Sequence, residues 1–330
     1  MNLKKIGLTA LAGSLVATSV FAGEMTVTGS ASMKVEHVNG GNAHSGKSWS
    51  MGNQLEFAGS GELDNGLTVS LNMVLDQNDD STTVAAIHTG APFDSHSVSV
   101  SSDALGTLVF HGEGGSSAQG AIDTTAAGDL WDSSFGITAA NDPAASAMSD
   151  NSIFYTLPTL ADGVALTASY SPNGSAIAGS SKAFGIGYTG VEGLSLSYAM
   201  GDDNTALNDI SKDVRTMKAS YAYGPITIGY SDTGYDSKST VVTADQDVTS
   251  YNISYTVSDN ISVSYGSETI SQPNDTTASH QDIEVDGIKA SYTTGGMTIS
   301  TSMLSADNTA HSTAVTEDLD QWSLAASFAF

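Results

Sequence analysis

The sequence predicts an all-β fold: an antiparallel barrel of sixteen strands that crosses a membrane. Three observations predict it. Hydrophobicity alternates with period two along almost the whole chain, tight-turn segments and long polar loops take turns between the alternating runs, and tyrosines recur at two levels of the apolar face. Composition agrees. The chain has 330 residues, 34 glycines, 6 prolines, no cysteine, a formal charge of −26 and 40% hydrophobic residues, yet a mean hydropathy of only −0.06. Without cysteine there is no disulfide framework, so topology must hold the chain together. So acidic a chain repels nucleic acid, and no basic patch with interleaved aromatics contradicts that.

The first residues, "MNLKKIGLTALAGSLVATSVFAGEM", carry a basic start at Lys4 and Lys5, an apolar run from Ile6, and small residues before Gly23. This pattern predicts a secretory signal over 1–22, cut after Ala22, with 23–330 as one barrel domain. No later segment has the ~20 consecutive apolar residues of a membrane helix.

The strands then follow in order. The first is Met25–His37, with Val27, Ala31, Met33 and Val35 on one face and Thr26, Thr28, Ser30, Ser32 and Lys34 on the other. Next are Asn53–Glu62, Gly66–Asp76, Ser95–Asp103, Leu105–His111, Asn151–Leu157, Gly163–Ser171 and Ser181–Thr189. The series continues with Gly193–Gly201, Asp213–Tyr223, Pro225–Thr233, Asp247–Val257, Asn260–Glu268, Ile283–Thr293, Gly296–Ser305 and Leu319–Phe330. Most have the roughly 9–11 residues that span a bilayer when tilted. In "GLTVSLNMVLD", Leu67, Val69, Leu71, Met73 and Leu75 share one face, and Thr68, Ser70, Asn72 and Asp76 the other.

The connections decide between a soluble sandwich and a membrane barrel, because they alternate too. Short links such as "LDNG" (Leu63–Gly66), "DALG" (Asp103–Gly106) and "TTGG" (Thr293–Gly296) carry tight-turn residues. Long polar loops fill the other gaps, so both termini lie on the short-turn side. Tyr170, Tyr198, Tyr230 and Tyr265 fall near the far ends of outgoing strands. Tyr155, Tyr188, Tyr221, Tyr223, Tyr255, Tyr292 and Phe328 fall near the close ends of returning ones. Two aromatic rings on an apolar band mark two lipid–water boundaries. The closing "WSLAASFAF" has the same greasy face, and an open edge in hydrocarbon would leave backbone groups unpaired. The last strand should therefore pair with the first.

The signal segment, "EMTVTGSASMKVE" (Glu24–Glu36), "NSIFYTLPTLADGVALTASYSP" (Asn151–Pro172) and the terminal Phe330 resemble the sixteen-stranded general diffusion porins of Gram-negative bacteria, most like those of alphaproteobacteria. The resemblance implies short periplasmic turns, long external loops, and a multi-pass barrel in the outer membrane among lipid and lipopolysaccharide. It also implies a homotrimer, a water-filled lumen with a third loop folded into it, and recognition of Phe330 by the barrel-insertion machinery. The implied function is passive diffusion of small hydrophilic solutes and ions, with no reaction performed. The alternative is a substrate-specific channel for a sugar or other nutrient, which should show an aromatic slide along the lumen. An outer-membrane enzyme or adhesin is the more distant reading.

The longest loop, Gly112–Asp150, offers Glu113, Asp123, Asp129, Trp131, Asp132 and Asp142 as constriction candidates, with Asp123, Asp129 and Asp132 best placed. Parity places Lys34, Glu36, Glu56, Asp76, Lys218 and Lys289 on the pore wall and Arg215 outside at the rim. With so few bases the lumen should favour cations. No cofactor is expected. Weak calcium candidates are Asp79 with Asp80, Asp202 with Asp203 and Asn204, and Glu317 and Asp318 with Asp320; none has the spacing of a calcium-binding loop. The histidines show no metal-ligand spacing and no catalytic constellation is evident.

Overall fold

A computed structural model describes residues 25–40, 46–76, 93–132, 146, 150–173, 179–204, 212–238, 245–277, 280–313 and 318–330. The expected leader at 1–22 lies outside them.

Sixteen strands form one closed antiparallel barrel in which each strand pairs with its sequence neighbours. They are β1 Met25–Gly40, β2 Gly46–Glu62, β3 Thr68–Asp76, β4 Ser95–Ser102, β5 Gly106–Glu113, β6 Ser152–Thr156, β7 Val164–Ser171 and β8 Ser181–Tyr188. Then come β9 Leu194–Asp203, β10 Lys212–Tyr223, β11 Ile226–Ser237, β12 Gln246–Ser258, β13 Ile261–Ser271, β14 Ile283–Thr294, β15 Met297–Asp307 and β16 Leu319–Ala329. The barrel closes where β1 meets β16, in a register running from Ser30 opposite Ala329 to Gly40 opposite Leu319. Phe330 adds a last rung. Its N–H donates to Gly29 O at 2.9 Å and its carbonyl accepts from Gly29 N–H at 2.7 Å.

Several strands outrun the sequence pattern at the long-loop end, and two of these extensions move a named residue. β2 begins at Gly46 rather than Asn53, so Trp49, expected in a loop, is a strand residue pointing outward. Its register with β1 explains this: Trp49 sits opposite Val35 and Met51 opposite Met33, extending the same apolar outer face. Glu113, expected in the third loop, is the last residue of β5.

The period-two pattern gives the barrel its two surfaces. Val27, Met33, Leu55, Leu71, Phe110, Phe184, Ile228, Ile253, Ile288 and Leu324 are all exposed on the outside. An apolar surface of that extent belongs against hydrocarbon, because water would penalise every Å² of it. Toward the long-loop end the pattern inverts between β12 and β1. There Val38, Val248, Ile270, Ile283, Val285, Leu304, Ala306 and Leu319 point inward and form the buried core. The turns at the other end are tight because glycine permits them. Gly66 has φ +80°, and Gly106 has φ +76° with the Thr156 carbonyl within 2.2 Å of where a Cβ would sit.

Candidate functional site

The described part of the connection between β5 and β6, residues 114–132 with 146, enters the barrel and runs along its inner wall. Residues on successive strands hold it there. Ala118 N–H donates to Ser169 Oγ on β7 at 2.9 Å. Gln119, fully buried, donates from Nε2 to Thr216 Oγ1 on β10 at 2.8 Å and accepts from the Ser146 N–H at 2.6 Å. After a short 3₁₀ turn at Gly120–Ile122, Lys218 on β10 donates from Nζ to Thr124 O at 2.6 Å. Ala126 and Ala127 donate their N–H groups to Ser231 on β11 (2.8 Å) and Ser250 on β12 (3.0 Å).

The far anchor is Glu268 on β13, only 1% exposed. Its carboxylate accepts the Thr125 hydroxyl and the Trp131 N–H, the latter at 3.0 Å. Lys289 on β14 donates to Gly128 O at 3.1 Å and Ala127 O at 3.4 Å. Within the loop, Thr125 and Asp129 cap each other: Thr125 N–H donates to Asp129 Oδ1 and Asp129 N–H to Thr125 Oγ1, both at 2.8 Å. This exchange holds Asp129 at φ +49°. A second 3₁₀ turn, Leu130–Asp132, then buries Leu130 in the apolar core of β12–β15.

Glycine makes room for this close approach. A Cβ on Gly266 of β13 would lie 2.5 Å from Ala127 Cβ. Gly266→Val is expected to push the loop toward the pore axis and lower single-channel conductance. Unchanged conductance would mean that the loop does not bound the channel.

The residues expected at the constriction thus separate in role. Asp123, Asp129, Trp131 and Asp132 do lie on the inward loop, but Asp129 spends its carboxylate on its own turn. Glu113 stands apart on β5, 3.9 Å from His96 Nδ1. Asp142 lies outside the described residues. Burial beside Asp129 raises Asp123 to about 6, since both burial and a neighbouring negative charge disfavour its charged form. On the wall, Lys218 and Lys289 lie beneath the loop and hold its carbonyls. Lys34 pairs with Glu36, which also accepts from Ser48 at 3.2 Å and Gln321 at 3.1 Å. Glu56 accepts from Asn72, and Asp76 is exposed at the end of β3. Arg215 is at the outer rim with Asp236 at 3.0 Å and Asp247 at 3.9 Å.

Of the calcium candidates, Asp79, Asp80 and Glu317 lie outside the described residues. Asp202 and Asp203 are adjacent on β9 and so point to opposite faces. Asp202 accepts the Lys182 N–H at 2.6 Å, and Asp203 lies 3.9 Å from Lys212 Nζ. The tethers Gln119, Ser169, Thr216, Ser231, Ser250 and Glu268 escaped the sequence reading. Each is an inward polar residue among many others, and nothing local marks it as a loop anchor.

Comparison with known proteins agrees with this geometry. A family model described as Gram-negative porin matches residues 7–281. The chain is similar in fold to solved structures of engineered variants of the Rhodopseudomonas blastica porin. One of these superposes with a TM-score of 0.67 at 17% identity, covering 93% of this chain and 100% of that one. A triple mutant of the same porin gives a TM-score of 0.66 at 18% identity, with the same coverage. A search of curated protein sequences finds no match.

Proposed function

The chain belongs to the Gram-negative porin family and forms an outer-membrane channel for passive diffusion rather than an enzyme, and from that premise we propose that the channel prefers cations and works as a homotrimer. One observation carries the preference. Among the described residues carboxylates outnumber bases in the lumen: Lys34 is paired with Glu36, and Lys218 and Lys289, which keep their charge while holding loop carbonyls, face a larger set of acids. Glu56, Asp76, Asp123 and Asp132 leave the field negative, which concentrates cations in the narrow part. Small hydrophilic solutes are the substrates such a pore admits.

Support for the trimer comes from the tyrosines. All 12 fall between Tyr155 and Tyr292, so β1–β5 carry none. Their outer face instead offers Met33, Met51, Leu55, Leu71, Leu75 and Val98. A wall that lacks boundary tyrosines while β6–β14 carry them suits protein contact rather than lipid. Lipid and lipopolysaccharide then meet the tyrosine-bearing wall, and Phe330, at the barrel seam, is the residue offered to the insertion machinery.

One recording in a planar bilayer under a KCl gradient tests both readings. The expected result is conductance steps in groups of three with a reversal potential of cation-selective sign. An anion-selective sign overturns the preference, and single independent steps overturn the trimer.

A further inference from the structure

At the long-loop end, the β13–β14 and β15–β16 connections meet, and a histidine from each stands at the junction. His280 and His311 lie ring to ring, with centroids 4.7 Å apart and planes 19° from parallel. Their backbones are joined as well. His280 and Ser312 form an antiparallel bridge, Gln281 N–H donates to His311 O at 3.1 Å, and Asn308 Nδ2 donates to Asp282 O at 3.2 Å.

The hydrogen-bond geometry fixes where protons can sit. His311 is 7% exposed, and its Nδ1 lies 2.9 Å from Gln281 O. A carbonyl only accepts, so Nδ1 carries the hydrogen and Nε2 of the neutral ring is a bare lone pair. That Nε2, like the Nε2 of His280, is buried without a partner. A second proton on His311 would have no acceptor and would face another imidazole across the stack. The neighbouring charges do not compensate. Asp275 lies 3.2 Å from His280 Nδ1, and its pull on His311 is smaller than the opposing effect of burial. Asp282 acts on His311 only at longer range, and Asp318 is turned to the Asn308 N–H at 3.3 Å. Among the described residues no group of three or more His, Cys, Asp or Glu side chains is placed to hold a metal.

The segment is also held against its backbone preference. Asn308 has φ +57° and His311 φ +54°, the left-handed region that a residue other than glycine keeps only when its surroundings impose it. Such a segment needs its contacts to keep its shape.

We propose that the His280–His311 stack is an acid-released latch that fastens two outer loops to each other at neutral pH and frees them when His311 takes up a proton. Burial lowers the proton affinity of His311 below that of an ordinary histidine. The sign follows. The latched form is the neutral one, so fastening is complete above the free-histidine value of about 6.5 and is lost as pH falls through the lowered value. The latch does not depend on ion preference or subunit number.

The chain has no cysteine, so Thr276→Cys and Thr313→Cys, both at exposed positions, supply unique sites for a spin-label pair. Dipolar EPR on the full barrel in bilayers should give one narrow distance at about pH 7.5. At about pH 4.5 more than roughly half of that population should broaden, with a midpoint below the free-histidine value of about 6.5. His311→Asn keeps a donor for Gln281 and suits positive φ but cannot take up the proton, so its distance should stay narrow at both values. A narrow parent distance at low pH overturns the latch, and so does equal acid broadening in the variant. If the variant is already broad at neutral pH, the parent's midpoint decides: a value near about 4, where carboxylates titrate, overturns the proposal.

Discussion

Replacing Glu268 with alanine will detach the third loop from β13 and turn a quiet open channel into a noisy one. The carboxylate receives two donors from the loop, one from Thr125 and one from Trp131, at the turn that packs on β13. Hydrogen bonds to a charged acceptor contribute about 1.5–3 kcal/mol each, so losing both favours detachment by roughly 100-fold or more. Lys218, Ser231, Ser250 and Lys289 still hold the loop from Thr124 to Gly128, so the barrel should insert and assemble normally while the segment from Asp129 to Asp132 fluctuates. Open-channel current noise in single-channel records is the readout. Glu268→Gln, which keeps an oxygen acceptor and the shape but not the charge, should fall between the parent and alanine. A Glu268→Ala channel as quiet as the parent, with the same conductance, would show that the remaining tethers suffice.

Cation preference will weaken on mild acidification, and Asp123 will be the cause. Its carboxyl is raised to about 6, first by burial and then by the charge of Asp129. A raised carboxylate loses its charge as pH falls through that value, well above the range of an ordinary aspartate. A unit charge about 8 Å from a passing ion is worth roughly 0.5 kcal/mol in water, close to a twofold bias in relative permeability. At about 0.1 M salt, where the Debye length is about 10 Å, a little under half of that energy survives, leaving roughly a 1.5-fold bias. Reversal potentials measured from about pH 7.5 to about pH 5 should therefore move toward zero by that factor. Asp123→Asn should start at the lower value and stay flat. A parent channel whose selectivity ignores pH, or a variant that keeps the full decline, would place the titrating charge elsewhere.

Much of the architecture was legible because each strand repeats one simple rule. Alternation in "GLTVSLNMVLD" sets which side chains meet lipid, and the same parity applied to Lys218 and Lys289 places them inside. The reading failed at strand ends. In "GKSWSMG" the loop-like glycines and serines hid a pairing that depends on β1 holding Val35 opposite Trp49. Glu113 was similarly read as loop, because its place in β5 depends on the partner strand β4. The pore was only half readable. The acidic residues of the loop were visible, but not that Asp129 bonds back to Thr125, nor that two wall lysines tether the loop.

By itself, the sequence determined the number of strands, their order, the side of each that faces hydrocarbon, and the strong excess of carboxylates over bases. These follow from period-two patterning and turn chemistry, which act between near neighbours along the chain. Only the tertiary structure decided where the long third loop lies and what holds it. Its anchors come from β7, β10, β11, β12, β13 and β14, which are remote in sequence and share only the inner wall. A buried Glu268 and a glycine at 266 acquire their meaning from a loop that must press against them, and no local pattern encodes a contact made across a closed barrel.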